Sequence, residues 1–142
     1  MANAFNKYYT FIDELSKAGH NLATAVFKVA LTNTAPTQAT DTVWNTTVAP
    51  APAAANGYTA GGNTITTTSG TTTAGVFKLI LVDTVFTATA GGIGPFRYAI
   101  LYNSSATNKS VGYYDYLSSV TLGDTETFTV DFDAANGVLT VT

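Results

Sequence analysis

The chain has 142 residues, which suits one domain with a hydrophobic core, and it contains no cysteine, which excludes disulfides, thiolate catalysis and cysteine metal sites. Charged residues make up only 11% of the composition, against about 25% in average soluble domains. The six basic residues are scattered and the net charge is −3, so we expect no nucleic-acid partner and no binding to an anionic membrane.

The N-terminal stretch MANAFNKYYTF lacks the basic start and the apolar run of a signal peptide. The apolar runs TAVFKVALT and GVFKLILV are short and each contains a lysine, so neither is predicted to span a bilayer. We therefore expect a soluble product that is not exported through a signal peptide.

Residues 3–18 are predicted to form the one helix of the chain. Asn3 is the expected N-cap, and Gly19 is the expected left-handed residue that ends the helix. The apolar residues recur at steps of three and four, which places them on one stripe that packs on its own domain or on a neighbouring subunit. They are Phe5, Tyr8, Tyr9, Ile12 and Leu15.

After Gly19 the pattern changes to β. Apolar and β-branched runs separated by turn signals predict strands at 26–33, 64–68, 76–82 with a continuation at 85–88, 96–102, 111–117, 119–122, 126–133 and 138–141. The Asn136-Gly137 pair predicts a hairpin between the last two strands. Residues 34–56 are rich in proline and small residues, and they predict an extended surface loop with a short strand around Val43 and Trp44.

One helix followed by closely spaced strands indicates antiparallel pairing. We predict a mainly β fold, an antiparallel β-sandwich or barrel with one N-terminal α-helix. Residues 1–142 form a single domain in this interpretation, with the helix at 3–18 and the β domain at 20–142.

The stretch AGGIGPFRYAILYN at 90–103 places three glycines before the only arginine. It lacks the Lys-Ser or Lys-Thr of a phosphate loop and leads into a strand, so it predicts a bend rather than an anion site. Arg97 is expected to form a structural ion pair with a carboxylate, and a carboxylate of a neighbouring subunit stays open as its partner. The strand after the bend is expected to place four residues on one face: Phe96, Tyr98, Ile100 and Tyr102.

Few residues suggest catalysis. His20 is the only histidine, and it is expected to bond the last carbonyl groups of the helix or to carry a favourable charge against the helix dipole. The carboxylates of Asp124, Glu126, Asp131 and Asp133 leave a calcium site or a glycoside hydrolase pair open, although alternate acids on an outer strand face are usually solvated. We expect no catalytic residue, no bound metal and no cofactor.

Tyrosines cluster at 113–116, where Tyr113, Tyr114 and Tyr116 flank Asp115. Aromatic faces stack on sugars, so the cluster suggests a glycan site. Half-buried tyrosines with wet hydroxyl groups are also typical of sheets and of protein interfaces, and these two interpretations are favoured over a glycan site.

Five segments in order resemble a group of small tailed-bacteriophage virion proteins: HNL (20–22), KVALTNTAP (28–36), NGYTAGGN (56–63), PFRYAILYN (95–103) and GDTETFTVDFDAANGVLTVT (123–142). The resemblance covers nearly the full chain. It implies a capsid cement or decoration protein on the outer surface of the phage head, made in the host cytoplasm. The implied partners are the major capsid protein and neighbouring copies of the chain.

We expect the contacts with these partners to come from the helix, the loop and the tyrosine-rich strand. The candidate interface residues are Phe5, Tyr8, Tyr9, Ile12, Trp44, Arg97, Tyr113, Tyr114 and Tyr116. The alternatives are a host-glycan-binding β module on a tail fibre or spike, and a small hydrolase that uses Asp131 or Asp133.

Overall fold

The computed structural model describes residues 3–45 and 51–142, and the part of the predicted loop at 46–50 lies outside them. The fold is mainly β with one helix near the N-terminus and antiparallel sheets, as predicted; the sheets fit a sandwich, and the described residues do not close a barrel. In chain order the elements are β1 (Phe5–Lys7), α1 (Tyr9–Ser16), β2 (Phe27–Thr32), β3 (Asn63–Ile65), β4 (Thr67–Thr73), β5 (Val76–Leu81), β6 (Thr84–Thr87), β7 (Ile93–Asn103), β8 (Lys109–Leu122), β9 (Thr127–Val130) and β10 (Leu139–Val141).

The strands form three antiparallel sheets. The largest has the order β1-β8-β7-β2-β3, a second has the order β10-β5-β4, and the third pairs β6 with β9. The long strand β7 lies at the centre of the first sheet, and its residues Tyr98–Asn103 are all buried. Asn63 of β3 links the first sheet to the third, because its amide donates to the Thr84 hydroxyl at 3.1 Å and to the Val85 carbonyl at 3.0 Å.

The prediction of a helix over 3–18 is wrong at its start. Phe5–Lys7 instead form β1, which pairs with β8, and the helix begins at Tyr9. Asn3 is not the N-cap, since its amide donates to the Asp115 carbonyl at 2.7 Å. The sheet edge offers the first residues backbone partners and an aromatic neighbour, which outweighs their helical periodicity.

The helix ends in a Schellman motif. The Gly19 N–H donates to the Glu14 carbonyl at 2.7 Å, and the Ala18 N–H donates to the Leu15 carbonyl at 3.3 Å. The left-handed residue is Ala18, with φ of 59°, so the prediction of Gly19 was one position too late. Gly19 is needed for space instead, because a Cβ atom there would lie 2.9 Å from the Glu14 carbonyl oxygen.

The expectation that Phe96 shares a face with the alternate residues of β7 is wrong. The pairing of β7 with β8 is irregular between Phe96 and Tyr98, so the alternation breaks there. Phe96 packs edge-on against Phe128 of β9, whereas Tyr98 packs against Tyr113.

The predicted C-terminal hairpin is also wrong. β9 pairs with β6, and β10 pairs with β5 in another sheet. The Asp133 carboxylate accepts the Ala135 and Asn136 N–H groups at 2.9 and 2.8 Å, and the Asp133 carbonyl accepts the Gly137 N–H at 2.8 Å. This capped turn carries the chain from one sheet to the other instead of folding it back.

The same crossover explains why 85–88 does not continue the preceding strand. β6 leaves the sheet of β5 and pairs with β9. The Asp83 carboxylate accepts the Phe132 N–H at 2.8 Å, which fixes the point where the chain changes sheets. The turn that joins β4 to β5 is a tight two-residue one, in which Ala74 and Gly75 both have positive φ.

The glycine stretch is a bend, as predicted. Gly91, Gly92 and Gly94 all have positive φ, and a Cβ atom on Gly92 would lie 2.1 Å from the Leu122 carbonyl oxygen. The Asp124 carboxylate accepts the Ala90 N–H at 2.7 Å. The Asp124 carboxylate therefore already accepts the Ala90 N–H, which a bound anion would need as a donor.

The loop before β3 lies against the first sheet. Val43 bridges to Lys109 of β8, and Trp44 stacks on Tyr102 with ring centroids 4.7 Å apart. Trp44 and Tyr102 are both buried. The described part of the loop, 34–45 and 51–56, contains this bridge but no longer strand.

Candidate interaction surface

A bulge interrupts β8 opposite Arg97. Phe96 is paired with Val120 and Tyr98 with Asp115, so the four residues 116–119 face the single residue Arg97. Leu117 lies in this bulge with φ of 66°, a left-handed conformation that costs a bulky residue about 1–2 kcal/mol. Its side chain is 76% exposed, more than that of any other large apolar residue described.

The bulge is held by a bidentate ion pair. Arg97 Nε and Nη2 donate to the two Asp115 carboxylate oxygens at 2.7 and 2.8 Å. The same carboxylate accepts the Leu117 N–H at 2.8 Å, which fixes the left-handed residue. The Arg97 guanidinium lies 5.1 Å from the Tyr98 ring centroid, and its hydrogen bonds hold the pKa of the Asp115 carboxyl below its usual range.

This geometry confirms the prediction that Arg97 forms an ion pair with a carboxylate, and it places that carboxylate in the same chain. The far end of the bulge is also fixed, because the Ser119 hydroxyl donates to the Asn33 side-chain carbonyl at 2.6 Å. Hydrogen bonds therefore hold the chain on both sides of the exposed leucine.

Tyr113 connects the bulge to the helix. Its ring lies 5.3 Å from the Tyr8 ring and 6.3 Å from the Tyr98 ring. Burial raises the pKa of the Tyr113 hydroxyl, and the nearby Asp115 carboxylate and Tyr9 hydroxyl raise it further. We call the set Tyr113, Arg97, Asp115 and Leu117 the bulge surface.

The predicted interface residues fall into three groups. Tyr8, Trp44 and Tyr114 are buried against neighbours in their own chain, so the expectation that they contact a partner is corrected. Tyr9 and Ile12 of α1 are 65% and 46% exposed. The others are half-buried: Phe5, Arg97, Tyr113 and Tyr116. Sequence reasoning missed Leu117, whose exposure depends on the bulge.

The three tyrosines considered for sugar stacking do not share one surface. Tyr114 is buried. Tyr113 packs on the Tyr8 ring, whereas Tyr116 packs edge-on against Phe128 of β9 at 4.7 Å. A platform that uses all three rings at once would require the sheet to open.

His20 lies in the core and does not bond the helix carbonyl groups, which corrects the prediction. Its Nδ1 lies 3.3 Å from the Asn103 amide nitrogen, and its ring packs on Phe11. Its Nε2 is buried and has no hydrogen-bond partner. Burial lowers the pKa of His20, as does the nearby Lys109 ammonium, while Glu14 opposes this.

The acidic residues considered for chemistry cap turns instead. Asp124 and Asp133 accept backbone N–H groups, and Glu126 accepts the Gly123 N–H at 2.7 Å. Hydrogen bonds from Asn136 lower the pKa of Asp133, which is the opposite of what a general acid needs. Asp131 and Asp133 line a cleft of about 280 Å³, but within 3–45 and 51–142 no three metal-binding side chains come together.

No protein-family model, curated protein or solved structure matches this chain. Among the described residues, the structure has no helix of the length and apolarity that crossing a membrane requires.

Proposed function

We propose that this chain is a non-enzymatic structural protein of a tailed-bacteriophage virion, which binds the assembled capsid and stabilises or decorates it. Its partners in this proposal are the major capsid protein and neighbouring copies of itself, on the outer surface of the head. The five sequence segments that resemble small virion proteins support the proposal.

The observation that most supports a binding role is the exposed, strained leucine of the bulge surface. An exposed leucine in a strained conformation gains stability when a partner covers it, and the Arg97–Asp115 pair holds it ready for that contact. Tyrosine and arginine are also the residue types that protein interfaces enrich and that contribute most to their affinity.

The acidic side chains favour binding over turnover. Asp133 is an ionised turn cap, and His20 is buried with its Nδ1 next to an amide. Neither arrangement supplies a general acid next to a base or a nucleophile. A capsid-bound protein needs neither.

The first experiment is the composition of purified phage particles. A cement or decoration protein is expected at a fixed copy number per major capsid subunit, and cryo-electron microscopy of intact virions should place it on the head. Absence from purified heads, or presence only at a tail fibre or spike, would contradict the proposal and favour the host-binding alternative.

The second experiment measures binding of the purified protein to particles that lack it. Leu117→Asn is expected to weaken binding at least about tenfold, because interfaces concentrate affinity in a few covered apolar anchors. Val85→Asn is the matched control, since Val85 is 49% exposed on β6 and lies outside the bulge surface. Equal affinity of the two variants would exclude the bulge surface as the contact.

A further inference from the structure

The strand β4 has an open outer edge. It is the last strand of the sheet β10-β5-β4, and its seven residues make it longer than β1, β3 and β10, which have three each. In the described sheets β5 is its one neighbour, and no strand lies on its other side. An edge of this length is a template for another strand.

The backbone groups that face outward follow from the turn that joins β4 to β5. Thr73 and Val76 flank this two-residue turn, and such a flanking pair exchanges both of its hydrogen bonds. Thr71 with Lys78 and Ser69 with Ile80 then follow the same alternation. Gly70 and Thr72 therefore direct their N–H and C=O groups to the open edge.

Nothing in the sequence of this edge opposes pairing with itself. No residue from Thr42 to Phe77 is charged, and β4 contains no proline. Exposed edges are normally protected by a lysine or another charge, because like charges opposite one another repel. Two copies of β4 can pair without charge repulsion. A strongly charged partner strand would gain no ion pair from this uncharged edge.

We propose that β4 pairs antiparallel with β4 of a second copy of this chain, about a twofold axis at Thr71. Thr71 then lies opposite Thr71 of the second copy, and Ser69 lies opposite Thr73. The four hydrogen bonds come from Gly70 and Thr72 of each copy, which face one another across the axis. The two sheets join into one of six strands, β10-β5-β4 followed by the same three in reverse.

This register uses the regular part of the strand. A bulge separates Thr67 from Ser69 in the pairing with β5, and the residues from Ser69 to Thr73 follow it without a further break. A symmetric contact of this kind closes on itself as a dimer. One strand pair is a small interface, so the dimer is weak in solution.

The absence of native cysteine makes the register testable by cross-linking of the purified full chain. Thr71→Cys is expected to form an intermolecular disulfide readily under mild oxidation, because directly opposed residues bring the Cα atoms within disulfide range. Thr73→Cys alone should cross-link slowly, and a mixture of Ser69→Cys with Thr73→Cys should cross-link readily. Thr140→Cys, on the opposite edge of the same sheet, is the control.

The same edge is tested without cysteine by sedimentation of the wild-type chain and of Thr71→Lys. The wild-type chain is expected to dimerise with rising concentration, and the variant, with two lysines opposed, at least about tenfold more weakly. Thr140→Lys should behave like the wild type. Cross-linking of Thr71→Cys no faster than that of Thr140→Cys, or a wild-type monomer up to about 1 mM, would overturn the proposal. Neither result bears on capsid binding, which is measured on particles.

Discussion

Leu117 is both strained and exposed, and neither property helps the free protein to stay folded. The left-handed conformation destabilises the free protein, while the exposed side chain contributes almost nothing to its core. Selection for stability alone would place asparagine or glycine there, since both tolerate positive φ. The proposed contact with a partner would account for a leucine at this position.

Replacing Leu117 should make the protein more stable. Leu117→Asn is expected to raise the free energy of unfolding by about 0.5–1 kcal/mol in urea titrations, because asparagine relieves the strain at positive φ. Leu117→Ala keeps a Cβ atom and most of the strain, so it serves as the control. If both variants unfold at the same urea concentration, the strain at this position is negligible.

His20 should make stability depend on pH. The Asn103 side-chain oxygen, Oδ1, accepts the Ser105 N–H and hydroxyl, so the side-chain nitrogen of Asn103 faces His20 Nδ1. Because this amide nitrogen only donates, His20 Nδ1 must be unprotonated to accept from it. The charged groups near the ring are Glu14 and Lys109, which pair with each other. Protonation of His20 therefore opposes the packed arrangement.

The sign of this dependence follows from the lowered pKa. The unfolded chain binds a proton on His20 more readily than the folded chain, so the contribution to stability is complete above pH 6.5 and is lost as the pH falls below it. Denaturation of the wild type and of His20→Gln between pH 7.5 and about 5 measures the difference. A wild-type slope equal to that of the variant would contradict the prediction.

At the scale of elements, the end of α1 separates two roles that glycine often combines. Ala18 has the left-handed conformation, and Gly19 provides the space beside the Glu14 carbonyl. Ala18→Gly is expected to raise the free energy of unfolding by about 0.5–1 kcal/mol, and Gly19→Ala to lower it by about 1–2 kcal/mol. Urea denaturation of both variants checks this; effects of the same sign would show that the motif does not govern this helix end.

Local pattern predicted the elements better than their pairing. The strand predicted at 126–133 contains β9, and its Val130 and Phe132 are buried. The partner of that strand is β6, at least forty residues earlier in the chain, and no short-range signal identifies it. The Asn136-Gly137 pair suggested a hairpin because a local turn signal does not tell which sheet the next strand joins.

The candidate site was predictable only in part for the same reason. An ion pair was the expected role of Arg97, and the structure provides its carboxylate in Asp115. The run YYDYLSSVTL, by contrast, reads as strand with one weak break, and the exposure of Leu117 arises only when four residues are accommodated opposite one. Tyr8 and Trp44 look like surface anchors in the sequence, but Tyr8 packs on Tyr113 and Trp44 on Tyr102, and both are buried.

At the scale of the whole molecule, Trp44 tests whether the chain unfolds as one unit. The only tryptophan stacks on Tyr102 of the central strand although it belongs to the long loop. We expect its fluorescence and the far-UV circular dichroism to change in one coincident urea transition, because the loop packs on the same core as the sheets. An earlier fluorescence transition would mean that the loop detaches before the sheets unfold.

The two-residue turn between β4 and β5 has a practical consequence. Ala74 and Gly75 are exposed at its tip, and the position of a Cβ atom on Gly75 is open space. Exposed hairpin tips are where foreign peptides are best accepted, since the flanking strands keep their pairing. A short epitope inserted between Ala74 and Gly75 should therefore be carried by a folded protein, and under the proposed capsid binding a phage particle would display it as a regular, many-copy antigen array.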